Sequence, residues 1–212
     1  MTAIDTARLK HMFDVIAVAI EADKDRLCQL DGVIGDADHG IAMELGFNAV
    51  RDSLERLDLA ATEPTVLLNT AAKSFLNAVG ASSGPLYATA LMRAAAAVKG
   101  KAALEGADVI AMFQAMAQGI KDRGKAEIGE KTMIDAWLPA AEAAAAAHAA
   151  GSTLAESLDA ALAAAERGAE ATKDMIAAKG RSSRLGERSL GHIDPGAASA
   201  VTVIAAMTKS LA

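Results

Sequence analysis

Three aspartates fall within eight residues of this 212-residue chain, at Asp31, Asp36 and Asp38, in the run Asp31-Gly-Val-Ile-Gly-Asp36-Ala-Asp38-His39-Gly40. Like charges this close repel, so gathering them is costly unless a cation or a helix N-terminus offsets the repulsion. Three carboxylates suit a hard cation such as Mg²⁺, which keeps waters and shares phosphate oxygens. Gly32 and Gly35 permit a tight turn there. The plainer reading is that one Asp caps the next helix and the others are solvated; the triplet spacing favours metal binding. An EF-hand is excluded, because position twelve counted from Asp36 is Phe47 and not Glu.

Three other loops carry unusual residues. Gly80-Ala81-Ser82-Ser83-Gly84-Pro85 opens a helix, and backbone N–H groups there can face a phosphate. N-capping by Ser82 or Ser83 explains the same residues. Gly124-Lys-Ala-Glu-Ile-Gly129-Glu130-Lys131-Thr132 resembles a phosphate loop but is not one. That motif needs Lys directly after the second Gly, and a strand before it. The run from Gly180 to Gly196 holds Arg181, Arg184, Arg188, His192 and the pair Asp194-Pro195. Arginine forks match phosphate geometry, although surface ion pairing accounts for a lone arginine equally well. Neither H-E-x-x-H nor G-x-S-x-G occurs, which argues against a zinc protease or a serine hydrolase.

The elements that must position these loops are helices. Ala accounts for 53 residues and aromatics for only 3%, so the composition favours packed helices over a sandwich or barrel of strands. Leu9, Met12, Phe13, Ile16, Ile20, Leu27 and Leu30 mark the stripe of a long first helix, predicted to stop at Asp31-Gly32. A second helix is predicted from Gly40 to Leu57. Pro64 and Gly80 bound a third, and Pro85 and Gly100 a fourth. A fifth runs from Asp108 to Arg123, and a sixth from Thr132 to Gly151, with Pro139 as a point for a tilt or kink. A seventh is predicted from Thr153 to Lys179. Asp194-Pro195 opens the last, which reaches Leu211. No linker divides the chain, so residues 1–212 read as one domain. Eight helices alternating up and down place the loops at 31–39, 81–84, 124–132 and 180–194 at one mouth.

The charge balance of 21 Lys+Arg against 27 Asp+Glu, a net of -6 without a basic block, argues against a nucleic-acid surface. Cys28 is the one cysteine, which excludes an intrachain disulfide and fits a reducing compartment. The uncharged run between Lys73 and Arg93 is broken by Asn77, Gly80, Ser82, Ser83, Gly84 and Pro85, which reads as two buried helices and no membrane span. Asp14 and Glu21 interrupt the first apolar stretch, so no signal peptide is expected. The expected location is the cytoplasm.

Taken in order, Gly-Val-Ile-Gly-Asp36-Ala-Asp38-His39-Gly40, Ser83-Gly84-Pro85-Leu86-Tyr87, Gly124 to Met133, and Gly-Glu-Arg-Ser-Leu-Gly-His192-Ile-Asp194-Pro195-Gly196 resemble the nucleotide-binding L subunit of dihydroxyacetone kinase. The resemblance runs from the first helix to the last. It implies an all-α barrel of eight antiparallel, up-and-down amphipathic helices with the nucleotide at one end. Asp31, Asp36 and Asp38 would hold two Mg²⁺ ions on the phosphates of ADP or ATP. His39, Gly40, Ile41 and Ala42 would open the next helix against phosphates or ribose. Ile41-Ala42 stands where the family pattern has Thr-Asn. Gly80, Ala81, Ser82 and Ser83 would add backbone or hydroxyl contacts. Gly124, Thr132 and Met133 would line the nucleotide, with Met133 on the base side. Asp194, Pro195 and Gly196 would close the site, and Arg181 would serve the transferring group as the catalytic residue.

The resemblance further implies a phosphotransferase acting on an alcohol group, working with a separate ketose-binding K subunit. Two donor arrangements stay open: ATP entering and ADP leaving, or resident ADP rephosphorylated by a phosphotransferase-system protein. The ketose, dihydroxyacetone or a relative such as erythrulose, also stays open. The competing reading is a nucleotide-dependent regulatory module with no turnover of its own. A lipid-binding bundle is a third, and leaves the Asp triplet unexplained.

Overall fold

The computed structural model describes residues 3–212. Eight α-helices follow one another: α1 (Thr6–Ile34), α2 (His39–Leu54), α3 (Pro64–Ala78), α4 (Ser83–Ala97), α5 (Gly106–Gly124), α6 (Ile134–Ala149), α7 (Leu154–Ala171) and α8 (Pro195–Leu211). Each helix packs on the next in sequence, and α8 returns to α1, so the eight close a ring. Short connections between amphipathic helices produce this antiparallel order. Among the described residues the sole β pairing is the isolated bridge Ile4–Leu104, and no helix is long and apolar enough to cross a membrane.

The predicted stripe on α1 faces inward: Leu9, Met12, Phe13, Ile16, Ile20 and Leu27 are all buried. Facing them, Phe47, Phe75, Tyr87, Trp137 and Phe113 pack edge-on or tilted, with neighbouring ring centroids 5.0–6.4 Å apart. Such edge geometry suits the aromatic quadrupole. The Ala-rich helices α6 and α7 pack on each other, with Ala140, Ala141 and Ala144 buried on the first and Ala161, Ala164 and Ala165 on the second.

Pro139 lies inside α6 and does not end it. Its missing N–H leaves the carbonyl of Asp135, four residues earlier, without a helical partner. Gly168 of α7 lies against that carbonyl, so close that a Cβ there would sit 1.8 Å from the oxygen.

Most helix ends fall within three residues of those predicted, α2 stopping at Leu54 and not Leu57, and two shifts have a clear physical reason. Helix α1 continues past Asp31-Gly32 to Ile34, with Asp31 buried in its last turn. Helix α7 ends at Ala171, eight residues before Lys179, and gives way to a 3-10 turn at Thr172–Asp174. The stop is tertiary. Thr172 Oγ1 donates to Ala169 O and accepts from Asp194 N, while the Thr172 carbonyl is taken by Lys131 Nζ. The segment onward to Asp194 includes a second 3-10 stretch, Ser182–Ser189.

Candidate nucleotide and metal site

The connections after the odd-numbered helices all supply residues to one cavity of about 550 Å³. The first is built around Asp31. Its Oδ2 accepts the backbone N–H of Asp38 (3.0 Å) and of His39 (3.2 Å), capping α2 from the last turn of α1. Asp38, at the cap position itself, makes no such bond. Gly35 is required beside it, since a Cβ there would lie 2.1 Å from Asp31 Oδ1. Ala37, between Asp36 and Asp38, adopts a left-handed φ of 63° in a tight turn. The outcome is convergence: each of Asp31, Asp36 and Asp38 offers an oxygen within 4.8 Å of the others.

Arg181 reaches across from the segment after α7. Its guanidinium pairs with Asp36 and stands 3.6 Å from Asp38. Two of the three carboxylates are thus bridged by a cation already, on a side chain half open to solvent.

The loop between α5 and α6 is shaped by a buried carboxylate. Asp135 Oδ1 accepts from Gly129 N (2.6 Å) and Oδ2 from Thr132 N (2.7 Å). These bonds draw Thr132 and Met133 to the cavity wall. Asp194 caps α8 by accepting from Ala197 N (2.7 Å). Burial pushes the Asp194 carboxyl up to about 7, opposed by that backbone bond and by the charge of Lys131. Burial also holds the Lys131 ammonium below the ordinary lysine value, against the pull of Asp194, Asp135 and Asp174.

Burial lowers the His39 imidazole below its ordinary value, with Asp31 opposing. Its Nε2 lies 2.8 Å from Ser199 Oγ. The Ser199 hydroxyl donates to Gly196 O, leaving a lone pair to accept from His39 Nε2–H.

Most residues singled out from sequence meet at this cavity. Asp31, Asp36, Asp38, His39, Ala42, Ala81, Ser82, Ser83, Gly124, Thr132, Met133, Arg181, Asp194 and Gly196 line it. Four others do not. Gly40 packs on Lys24 of α1, Ile41 is 48% exposed on the outer face of α2, Gly80 stands open to solvent, and Pro195 is buried as the first residue of α8. Sequence reasoning passed over Leu86 and Ile120, which supply apolar wall, and Arg123, Lys179 and Lys131, which add positive charge. Leu86 follows the Gly84-Pro85 helix start, and Lys131 stands next to Thr132 in the loop that resembles a phosphate loop; those were the available signals.

The arrangement is an open cleft with an all-oxygen acidic cluster, a facing arginine and an apolar wall. It suits a ligand carrying phosphates at one end and a flat apolar group at the other. A family described as DAK2 domain matches residues 33–209. The ADP-binding subunit DhaL of PEP-dependent dihydroxyacetone kinase 2 from Listeria innocua is 36% identical over 208 residues, covering 98% of this chain and 96% of that one. The ADP-binding subunit DhaL of the PEP-dependent kinase from Escherichia coli is 41% identical over 177 residues, 84% of this chain and 83% of that one. In fold, the chain matches the crystal structure of the dihydroxyacetone kinase from C. freundii in complex with AMP-PNP and Mg²⁺, with a TM-score of 0.74 at 24% identity. That match takes in 99% of this chain and 35% of the longer one. The chain therefore belongs to the DAK2 domain family, on the branch of the DhaL-type subunits of dihydroxyacetone kinase.

Proposed function

We propose that this chain is the nucleotide-binding, phosphoryl-donor subunit of a kinase for dihydroxyacetone or a related short ketose. It would act in the cytoplasm with a separate ketose-binding K subunit. The observation that carries the proposal is the convergence of Asp31, Asp36 and Asp38 under Arg181 at the mouth of the cavity. An all-carboxylate donor set suits Mg²⁺ and offers nothing to a soft metal. Two Mg²⁺ ions are the number that the resemblance to the family implies for these three carboxylates.

Asp31, Asp36 and Asp38 would hold Mg²⁺, which would supply neutralisation of phosphate charge. The chain supplies the rest. Asp31 holds its ligand oxygen rigid, because its other duty is to cap α2. Arg181 would exchange its Asp36 partner for the transferring group, where its fork can follow developing charge. Ser82, Ser83 and the start of α4 would meet phosphate oxygens through N–H and hydroxyl donors. Met133, Leu86 and Ile120 would take the base, and Asp194 and Gly196 would close the far side. Resident ADP is favoured by two relatives, both named ADP-binding subunits of PEP-dependent kinases. A phosphotransferase-system protein would then be the donor.

The test is phosphoryl transfer to dihydroxyacetone and to erythrulose with a K-type subunit added. Offered donors should include Mg-ATP and a phosphorylated phosphotransferase-system protein. Ketose phosphate formed only when both subunits are present is the expected result. Tight Mg-nucleotide binding without transfer from any donor would favour the regulatory module instead.

A further inference from the structure

The loop that imitates a phosphate loop has another use for its lysine. Lys131 is 1% exposed and sits at a left-handed φ of 58°, which L side chains rarely adopt. Among the described residues it forms no ion pair with a carboxylate. Its ammonium instead donates to two backbone carbonyls, Thr172 O and His192 O, each at 2.5 Å. An ammonium has three donors and no acceptor, so it can hold two carbonyls together where an amide or hydroxyl would do so less well.

Those carbonyls mark the two ends of one segment. Residues 172–194 leave the ring at Thr172 and rejoin it at Asp194, and Arg181 rides near the middle. The neck is closed by Gly191 N donating to Lys173 O (2.8 Å) and Asp194 N donating to Thr172 Oγ1 (2.9 Å). The adjacent residue Glu130 holds the rising limb, accepting from Ala178 N (3.1 Å) and pairing with Lys179 at 3.7 Å. Lys131 is thus the buried pin where the segment, the α5–α6 loop and the start of α8 meet.

We propose that Lys131 is a positioning residue for phosphoryl transfer: it pins the neck of the 172–194 segment and so fixes Arg181 over Asp36 and Asp38. The role rests on reading the cavity as the Mg-nucleotide site. It differs from simple core filling, which would affect the fold as a whole and would be indifferent to Arg181.

The experiment compares Lys131→Met, Lys131→Arg, Arg181→Ala and the Lys131→Met/Arg181→Ala double variant. Trypsin reads the segment directly at Arg181, Arg184 and Arg188. In Lys131→Met, cleavage there should be about tenfold faster than in wild type, while the helices stay uncut. With the K-type subunit, kcat should fall about tenfold or more and the nucleotide KM change by less than about threefold. The double variant should transfer no more slowly than Arg181→Ala alone, because Lys131 acts through Arg181. Lys131→Arg, which keeps donors for the two carbonyls, should recover protection and part of the rate.

Unchanged trypsin protection in Lys131→Met, or fully multiplicative rate losses in the double variant, would overturn the role. Should Lys131→Met not fold, Lys131→Gln keeps an amide donor and is read by the same two criteria. The trypsin arm needs neither nucleotide nor partner, so its failure counts against Lys131 alone. A wild type that neither binds Mg-nucleotide nor transfers overturns the functional reading, and this role with it.

Discussion

Replacing Asp31 with asparagine keeps the shape of the side chain and removes one negative charge. An amide oxygen can accept the same two N–H bonds from Asp38 and His39, so the α2 cap survives, weakened by about 1 kcal/mol once it is no longer charge-assisted. The relief comes from repulsion. One oxygen of each of the three carboxylates lies within 4.8 Å of the others. At that range two unit charges repel by about 1 kcal/mol in water and about 3 kcal/mol at an effective dielectric of 20. Asp36 and Asp38 are half open to solvent, so the lower figure applies to each of the two pairs. The Arg181 guanidinium on Asp36 and Asp38 offsets about one of these repulsions, so relief of about 1 kcal/mol matches the weakened cap, and the nucleotide-free variant should melt within about 2 °C of wild type. Asp31→Ala loses both bonds, about 3 kcal/mol or more, and should melt below wild type. Mg-ADP at about 100 times its dissociation constant adds about 2.7 kcal/mol to wild type and should add nothing to either variant. Thermal melts with Mg-ADP, and with Mg-ADP plus EDTA, read all of this. An EDTA-sensitive shift that persists in Asp31→Asn refutes the metal assignment. An asparagine variant as unstable as the alanine one refutes the separation of cap from ligand.

Arg181→Ala should lower the transfer rate about a hundredfold or more and nucleotide affinity less than about tenfold; an unchanged rate with the K-type subunit present removes Arg181 from the chemistry. Asp194 holds its proton more tightly folded (about 7) than unfolded (3.8), so its stability contribution is full below about pH 4 and is lost as pH rises through 7. Wild type should lose on the order of 4 kcal/mol relative to Asp194→Asn between pH 4 and 8, read by urea unfolding at both; a constant difference would contradict the burial argument. Gly168→Ala would set a Cβ 1.8 Å from Asp135 O and must part α6 from α7. It should cost about 3 kcal/mol, and an unaltered melt would show that the two helices are not in close contact there.

Local chemistry made most of the helices legible. Pro64 and Pro195 open theirs at the first position, and Thr153 begins α7 through a reciprocal pair with Glu156 (3.2 and 2.8 Å). Periodicity alone named the buried face of α1. The errors arise from side chains and loops that serve another element than their own. Nothing near Ala171 announces a stop, because the groups that end α7 arrive from Lys131 and Asp194. Asp31-Gly32 looked like a terminus because its carboxylate serves the next helix and not its own. In the site, acidic spacing and glycine turns showed the Asp loop. Ile41 was carried by its place in a motif, yet its side chain points to solvent. Lys131 resembled a phosphate ligand in sequence, and only the packing of three loops shows it turned toward the backbone.

The central claim is that this cavity holds a nucleotide through metal on three aspartates. Titrating ADP by calorimetry into nucleotide-free protein, first with Mg²⁺ and then with EDTA, tests it most directly. One nucleotide per chain should bind with Mg²⁺ present, and EDTA should abolish the binding. Equal affinity under both conditions, or no heat in either, would contradict it.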